Sequence, residues 1–120
     1  MSALSKPDFN PGEIYIGAII NADGTGHHTI LLPGDMDDAN WKAATAWAEQ
    51  QGGTLPDRVE QAMLFKHFKG EFQADWYWSD TQRAGNESYA YVQNFNDGTQ
   101  IWDRKGTDYR ARAVRRLPIQ

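Results

Sequence analysis

The sequence predicts an α+β domain in which two consecutive helices separate an N-terminal hairpin from a C-terminal antiparallel sheet. Three observations carry this expectation. Strand-type patterns occupy both ends of the chain, two helical patterns with their own cap signals lie side by side between them, and glycine-rich turn signals space the strands. The 120 residues suit one core and leave no room for two.

The elements follow in order. Gly12 to Asn21 holds Ile14, Tyr15, Ile16, Ile19 and Ile20, which are strand formers. Ala22 to Gly26 is turn chemistry, and His28 to Leu32 returns as the second arm of a hairpin, stopped by Pro33-Gly34. Asp35, Asp37 and Asp38 crowd a predicted loop. Asn40 is a predicted N-cap for a helix running to Gln51, with Trp41, Ala44, Trp47 and Ala48 at helical spacing and Gly52-Gly53 closing it. Leu55-Pro56 forms an extended link. Asp57 and Glu60 form a capping-box pattern, opening a second helix whose expected apolar stripe is Val59, Ala62, Met63, Phe65 and Phe68.

From Trp76 the pattern changes to strands. Trp76-Tyr77-Trp78 is a short aromatic strand, Thr81 to Glu87 a predicted polar loop, and Tyr89 to Phe95 the next strand. Asn96-Asp97-Gly98 is a hairpin turn, and Thr99 to Asp103 returns. Lys105 to Asp108 is a loop, and Tyr109 to Leu117 is expected as one last strand. Met1 to Pro11 has no basic-then-apolar leader pattern and is expected as a disordered or docking arm, residues 1–11, ahead of a domain spanning 12–120.

Charge and composition exclude several classes. Cysteine is absent, which removes disulfide frameworks and thiolate metal sites and fits a reducing compartment. No apolar run approaches the ~20 residues of a membrane-spanning helix. Residues 1–60 carry three basic and nine acidic side chains, and residues 61–120 carry nine basic and seven acidic. Arg110, Arg112, Arg115 and Arg116 account for that shift. On a continuous strand Arg110, Arg112 and Arg116 would share a face, and pairing with carboxylates is the favoured reading over phosphate contact. The net charge of −4 argues against non-specific nucleic-acid binding.

The ordered set of motifs resembles the Lcl C-terminal domain family, in the short form found in phages and prophages. The carrying residues are the Trp41 helix closed by Gly52-Gly53, Leu55-Pro56-Asp57 with Glu60-Gln61, and Trp76-Tyr77-Trp78-Ser79. Tyr89-Ala90-Tyr91-Val92-Gln93-Asn94-Phe95 with Asp97-Gly98, and Arg110-Ala111-Arg112-Ala113-Val114-Arg115-Arg116, complete the set. The resemblance implies a C-type-lectin-like fold in which the first and last strands pair. It also implies that the Thr81–Glu87 loop and the Asn94–Arg104 hairpin face the ligand. In the adhesin form it implies sulfated-glycan binding through a basic surface and trimerisation; this chain departs by being acidic. The related formylglycine-generating enzymes use active-site cysteines, which this chain lacks.

No catalytic or cofactor constellation emerges. Ser79 and Ser88 have no placed base, and His27-His28 point to opposite faces of a strand, so they are poor co-ligands. Calcium needs six to eight convergent oxygens. The Glu-Pro-Asn and Trp-Asn-Asp signatures of calcium-dependent lectins are missing, which leaves Asp80, Glu87 and Asp103 as weak calcium candidates. The aromatics are the larger resource. Trp41, Trp47, Trp76, Trp78 and Phe95 are assigned to the core, whereas Tyr89, Tyr91 and Trp102 alternate with polar residues and are surface candidates. The expected binding set is Arg83, Asn86, Glu87, Tyr89, Tyr91, Asn96, Asp97, Trp102, Asp103 and Arg104. The expectation is a non-catalytic module without a cofactor, binding a host or phage protein inside the host cell. The alternatives are glycan recognition and a structural homo-oligomeric virion component.

Overall fold

The computed structural model describes residues 6–119. The expected N-terminal arm therefore lies partly outside the described residues. Within them, Asn10 is tied down: its N–H bonds Glu13 Oε1 at 2.7 Å. Among the described residues the chain folds as an α+β domain with eight strands, two α-helices, a single 3-10 turn at Lys69–Glu71 and two sheets. Strands β1 (Ile14–Ile20), β2 (Gly26–Leu31) and β8 (Val114–Pro118) form a three-stranded antiparallel sheet in the order β1-β2-β8. The last strand thus pairs with the second strand, not with the first as the resemblance implied. The hairpin keeps β1 beside it, and Arg115 Nη2 bonds Glu13 Oε1 at 2.9 Å across the gap.

The second sheet has the order β3-β7-β4-β5-β6, built from β3 (Met36–Ala39), β4 (Trp76–Arg83), β5 (Asn86–Asn94), β6 (Gln100–Arg104) and β7 (Tyr109–Ala111). Its β4–β7 pair is parallel, so this sheet is mixed. Three expectations are corrected here. The aspartate segment is not all loop, because Met36 and Ala39 pair with β7. The Thr81–Glu87 segment is not a long loop: β4 and β5 continue to Arg83 and Asn86, leaving a tight turn at Ala84-Gly85 with Gly85 at φ +80°. The last strand is broken at Arg112-Ala113, where Leu32 N–H bonds the Ala113 carbonyl at 2.9 Å and each half joins a different sheet.

Helix α1 (Trp41–Gln50) starts as expected. The Asn40 side chain accepts from Ala43 N–H at 2.9 Å. It ends in a Schellman arrangement, with Gly53 N–H on the Ala48 carbonyl, Gly52 N–H on the Glu49 carbonyl and Gly52 at φ +90°. Gly53 is also required by packing, since a Cβ there would lie 2.1 Å from the Val114 carbonyl oxygen. Helix α2 (Arg58–Phe68) opens with a complete capping box between Asp57 and Glu60. Its buried face is Glu60, Gln61 and Leu64, while Val59 is 57% exposed and Ala62 is exposed. The expected apolar stripe is therefore displaced, because hydrogen-bonded polar side chains occupy its centre.

Alternation along the strands splits the core. Trp78, Ala90 and Val92 face α1 together with Ala44, Ala48 and Leu55. Tyr77 and Phe95 face α2 with Leu64, Leu31 and Val114. Trp78 is fully buried, and its indole N–H bonds the Ala39 carbonyl at 2.9 Å. Phe95 is buried as expected, whereas Trp41, Trp47 and Trp76 are only partly buried at the margin of the α1 core. No helix among the described residues is long and apolar enough to cross a membrane.

Candidate functional site

Helix α2 covers only part of its sheet face. Gln93 lies under it, whereas Tyr91 and Tyr89, further back along β5, lie on the same face where the helix has ended. The register places Tyr91 opposite Trp102 and Tyr89 opposite Arg104 on the edge strand β6. Side chains from β4, β5, β6 and the first turn of α2 therefore meet on one surface.

Three arginines, Arg58, Arg83 and Arg104, and three aromatic rings, Tyr89, Tyr91 and Trp102, compose this surface. Trp102 is 44% exposed and meets Tyr91 edge-on, with centroids 6.1 Å apart. The Arg83 guanidinium lies 4.1 Å from the Trp102 ring centroid and 5.8 Å from that of Tyr89. The Arg58 guanidinium lies 3.8 Å from the Tyr91 centroid. On the α1 face of the same sheet, Lys105 Nζ stands 4.3 Å from the Trp41 ring and bonds Gln82 Oε1 at 2.6 Å. None of Arg58, Arg83, Arg104 and Lys105 pairs with a carboxylate among the described residues. Below Tyr89 an open cleft of about 620 Å³ is lined by Asn86, Ser88, Tyr89, Arg104, Lys105 and Gly106.

A polar ladder fixes this surface from behind. Gln61 Nε2 bonds the Tyr77 and Trp78 carbonyls at 3.2 and 3.1 Å, and Gln93 Nε2 bonds the Gln61 carbonyl at 2.6 Å. Gln100 Nε2 bonds Gln93 Oε1 at 2.8 Å and the Arg58 carbonyl at 2.9 Å, while Arg58 Nε bonds Gln100 Oε1 at 2.8 Å. Gln61 and Gln93 are almost fully buried, where hydrogen bonds count most; the Gln61 Nε2 is paired, whereas its Oε1 has no partner among the described residues. The ladder ties the start of α2 to the edge strand and holds Arg58 over Tyr91.

The sequence-predicted residues divide into two groups. Arg83, Tyr89, Tyr91, Trp102 and Arg104 come together on this face, and Asn86 sits at its cleft with Oδ1 accepting from Ser88 N–H at 3.1 Å. Glu87 is exposed at the start of β5. Asn96 and Asp97 do not join it. They lie in the turn beside the far end of α2, where Lys69 Nζ bonds the Asn96 carbonyl at 3.1 Å and Asp97 Oδ1 accepts from Thr99 N–H at 3.0 Å. Asp103 is displaced from the set as well. It alternates to the opposite face and accepts from the Tyr109 hydroxyl at 2.5 Å; burial and this carboxylate push the Tyr109 phenol up to about 12. Sequence reasoning missed Arg58, which arrives from a separate helix, and Lys105, which lines the cleft while its side chain meets Trp41 and Gln82 on the α1 face.

The calcium candidates do not converge. Asp80 faces Arg116 Nη2 at 3.6 Å, Asp103 is held by Tyr109, and Glu87 is on the surface. Among the described residues, no three His, Asp or Glu side chains stand close enough to hold a metal ion. The arginine run is consumed internally, as carboxylate pairing required. Arg110 pairs with Asp35 at 3.0 Å and Asp75 at 3.2 Å, and Arg116 pairs with Glu60 at 2.5 Å. Arg112 is buried and donates to the Leu32 and Glu71 carbonyls, so the three do not share a face as a continuous strand would have arranged.

Around Glu60 the chemistry is structural. Its carboxylate accepts from Arg116, from Thr29 Oγ1 at 2.7 Å and from Asp57 N–H at 2.9 Å, and His27 Nε2 lies at 3.2 Å. Burial pushes this carboxyl up most strongly, but Arg116, Asp57 and Thr29 together hold it below the ordinary glutamate value. Burial dominates at Asp80 and raises it, with Asp57 and Glu60 adding repulsion. No protein-family model matches the sequence, and no curated protein matches it.

Proposed function

We propose that this chain is a non-catalytic binding module, C-type-lectin-like in fold and of phage or prophage type, that docks a host or phage protein through the Arg83–Tyr91–Trp102–Arg104 face. One observation carries the reading: arginines without carboxylate partners among the described residues, stacked on exposed Trp102 and half-buried Tyr91, gather on one face of a net-acidic protein. Arg, Trp and Tyr dominate the residues that anchor protein interfaces. Guanidinium stacking holds these side chains in place before binding, which lowers the entropy lost on docking. Cysteine-free chemistry suits action within the host cell.

The test is a tagged pull-down from nuclease-treated bacterial lysate, with Trp102→Ala as control. A stoichiometric protein retained by the wild type and lost by the variant is the expected result. Equal recovery by both proteins would remove this face from the interface. A second reading, an acidic glycan, draws on the cleft at Tyr89, where a ring, an amide, a hydroxyl and two cations surround about 620 Å³. It predicts binding to a uronate- or sulfate-bearing oligosaccharide that Tyr89→Ala weakens.

A further inference from the structure

The face described above ends at an open sheet edge, and that edge has a defined polarity. Two bonds flanking the β5–β6 ladder set it: Asn94 N–H to the Thr99 carbonyl at 2.8 Å, and Lys105 N–H to the Ser88 carbonyl at 3.0 Å. The register between them is unbroken from Gln93↔Gln100 to Tyr89↔Arg104. Backbone groups in an antiparallel ladder alternate in direction. Ile101 and Asp103 therefore turn their N–H and carbonyl groups toward β5, and Gln100, Trp102 and Arg104 turn theirs outward. Arg104 is already satisfied, with its N–H on Asp103 Oδ1 at 2.7 Å and its carbonyl accepting from Thr107 N–H at 3.0 Å. The outward N–H and carbonyl groups of Gln100 and Trp102 bond to no other backbone or side chain among the described residues.

The edges of the first sheet are blunted: β8 ends at Pro118, and its first residue Val114 is bridged by Thr54. Strand β1 carries a register break between Tyr15 and Gly17, with Gly17 at φ +141°. Such irregularities are a common defence against edge pairing. Strand β6 has no bulge and no proline, and it exposes Ile101 (42%) and Trp102 (44%) on its two faces.

We infer that β6 receives an extended segment of the partner as an added antiparallel strand, and that this segment alternates acidic and aliphatic residues. The inference rests on the binding-face reading above and specifies the partner's chemistry. Strand addition satisfies the Gln100 and Trp102 backbone groups, and alternate side chains of the incoming strand fall on opposite faces. Those opposite Gln100, Trp102 and Arg104 meet Arg58, Arg83 and Arg104, cations with no carboxylate among the described residues. Those in between lie beside exposed Ile101. A sulfated glycan or a nucleic acid answers the charges but has no regular array of amides for the edge.

The test is an amide-resolved NMR titration of the intact protein with the capped hexapeptide Glu-Val-Glu-Val-Glu-Val. The amides of Gln100 and Trp102 are expected to shift saturably. N-methylation at the glutamates, whose N–H groups point at β6, should weaken binding about tenfold or more. N-methylation at the valines, whose N–H groups point away, should change it little. The Lys-Val analogue should not bind. Equal sensitivity to both methylation patterns, or no response of the Gln100 and Trp102 amides at millimolar peptide, would overturn strand addition. So would an oligo-dT or heparin hexasaccharide that binds more tightly while leaving those two amides unmoved. These results are separable from the docking face itself. A lysate protein lost by Trp102→Ala keeps that face even if strand addition fails.

Discussion

Arginine does opposite work in two parts of this molecule. At the junction of α2 and β8, the Arg116 guanidinium is spent on Glu60, a carboxylate with no exposed side-chain surface. On the β5–β6 face, Arg58 and Arg83 lie over Tyr91 and Trp102 and meet no carboxylate among the described residues. The Arg116 guanidinium has its Nε and Nη2 donors committed to the buried Glu60 carboxylate. One resting on a ring is already oriented and keeps donors that no carboxylate takes, with only the Arg58 Nε spent, on Gln100, among the described residues. The difference separates arginines that hold the fold from arginines available to a partner.

The largest effects should come from the first region. Arg116→Ala strands Glu60 as a buried charge and should cost about 3 kcal/mol, read as a lowered urea midpoint. Trp78→Ala should cost a comparable ~3–5 kcal/mol, since it empties a fully buried site and orphans the Ala39 carbonyl. Acid should act through the same node. Because the folded Glu60 carboxyl lies below its ordinary 4.5, its contribution is complete above that value and is lost as pH falls through the folded value. A Glu60→Gln variant should show a flatter acid limb in a stability-against-pH series. Asp80 has the opposite sign: raised in the fold, it opposes folding once ionised, so Asp80→Asn should raise the thermal midpoint at neutral pH and lose that gain in acid.

The smallest stability effects belong to the second region. Arg83→Ala removes one stacked cation, about 0.5–1 kcal/mol at a surface site. Trp102→Ala should stay near that level in thermal unfolding, since the ring is 44% exposed. Global unfolding of this variant would show the ring to be structural and would erase the distinction between the regions.

Much of this division was legible in the chain, and the failures have physical causes. Local chemistry announced the Asn40 cap, the Asp57–Glu60 capping box and the Gly52-Gly53 stop, because those bonds close within a few residues. Period-two alternation placed Tyr89, Tyr91 and Trp102 on one surface. The buried face of α2 was not legible, because Glu60 is buried only where Arg116 and Thr29 meet its carboxylate, and the Gln61 side-chain NH2 only where the β4 carbonyls accept from it. The break at Arg112-Ala113 is equally non-local, for Leu32 captures the Ala113 carbonyl from a distant strand. Arg58 escaped for the same reason: its partner Gln100 lies 42 residues along the chain. Asn96 and Asp97 were overvalued because a hairpin turn sits at the opposite end from the residues that start and finish the hairpin.

The most direct test of the division is to measure Arg116→Ala and Arg83→Ala side by side, scoring thermal midpoint and retention of the captured lysate protein. Arg116→Ala should lose several degrees per kcal/mol of lost stability, roughly as expected for a domain of this size, and retain the partner while folded. Arg83→Ala should hold its midpoint close to wild type and lose the partner. Equal destabilisation by both substitutions, or partner retention by Arg83→Ala, would contradict the account.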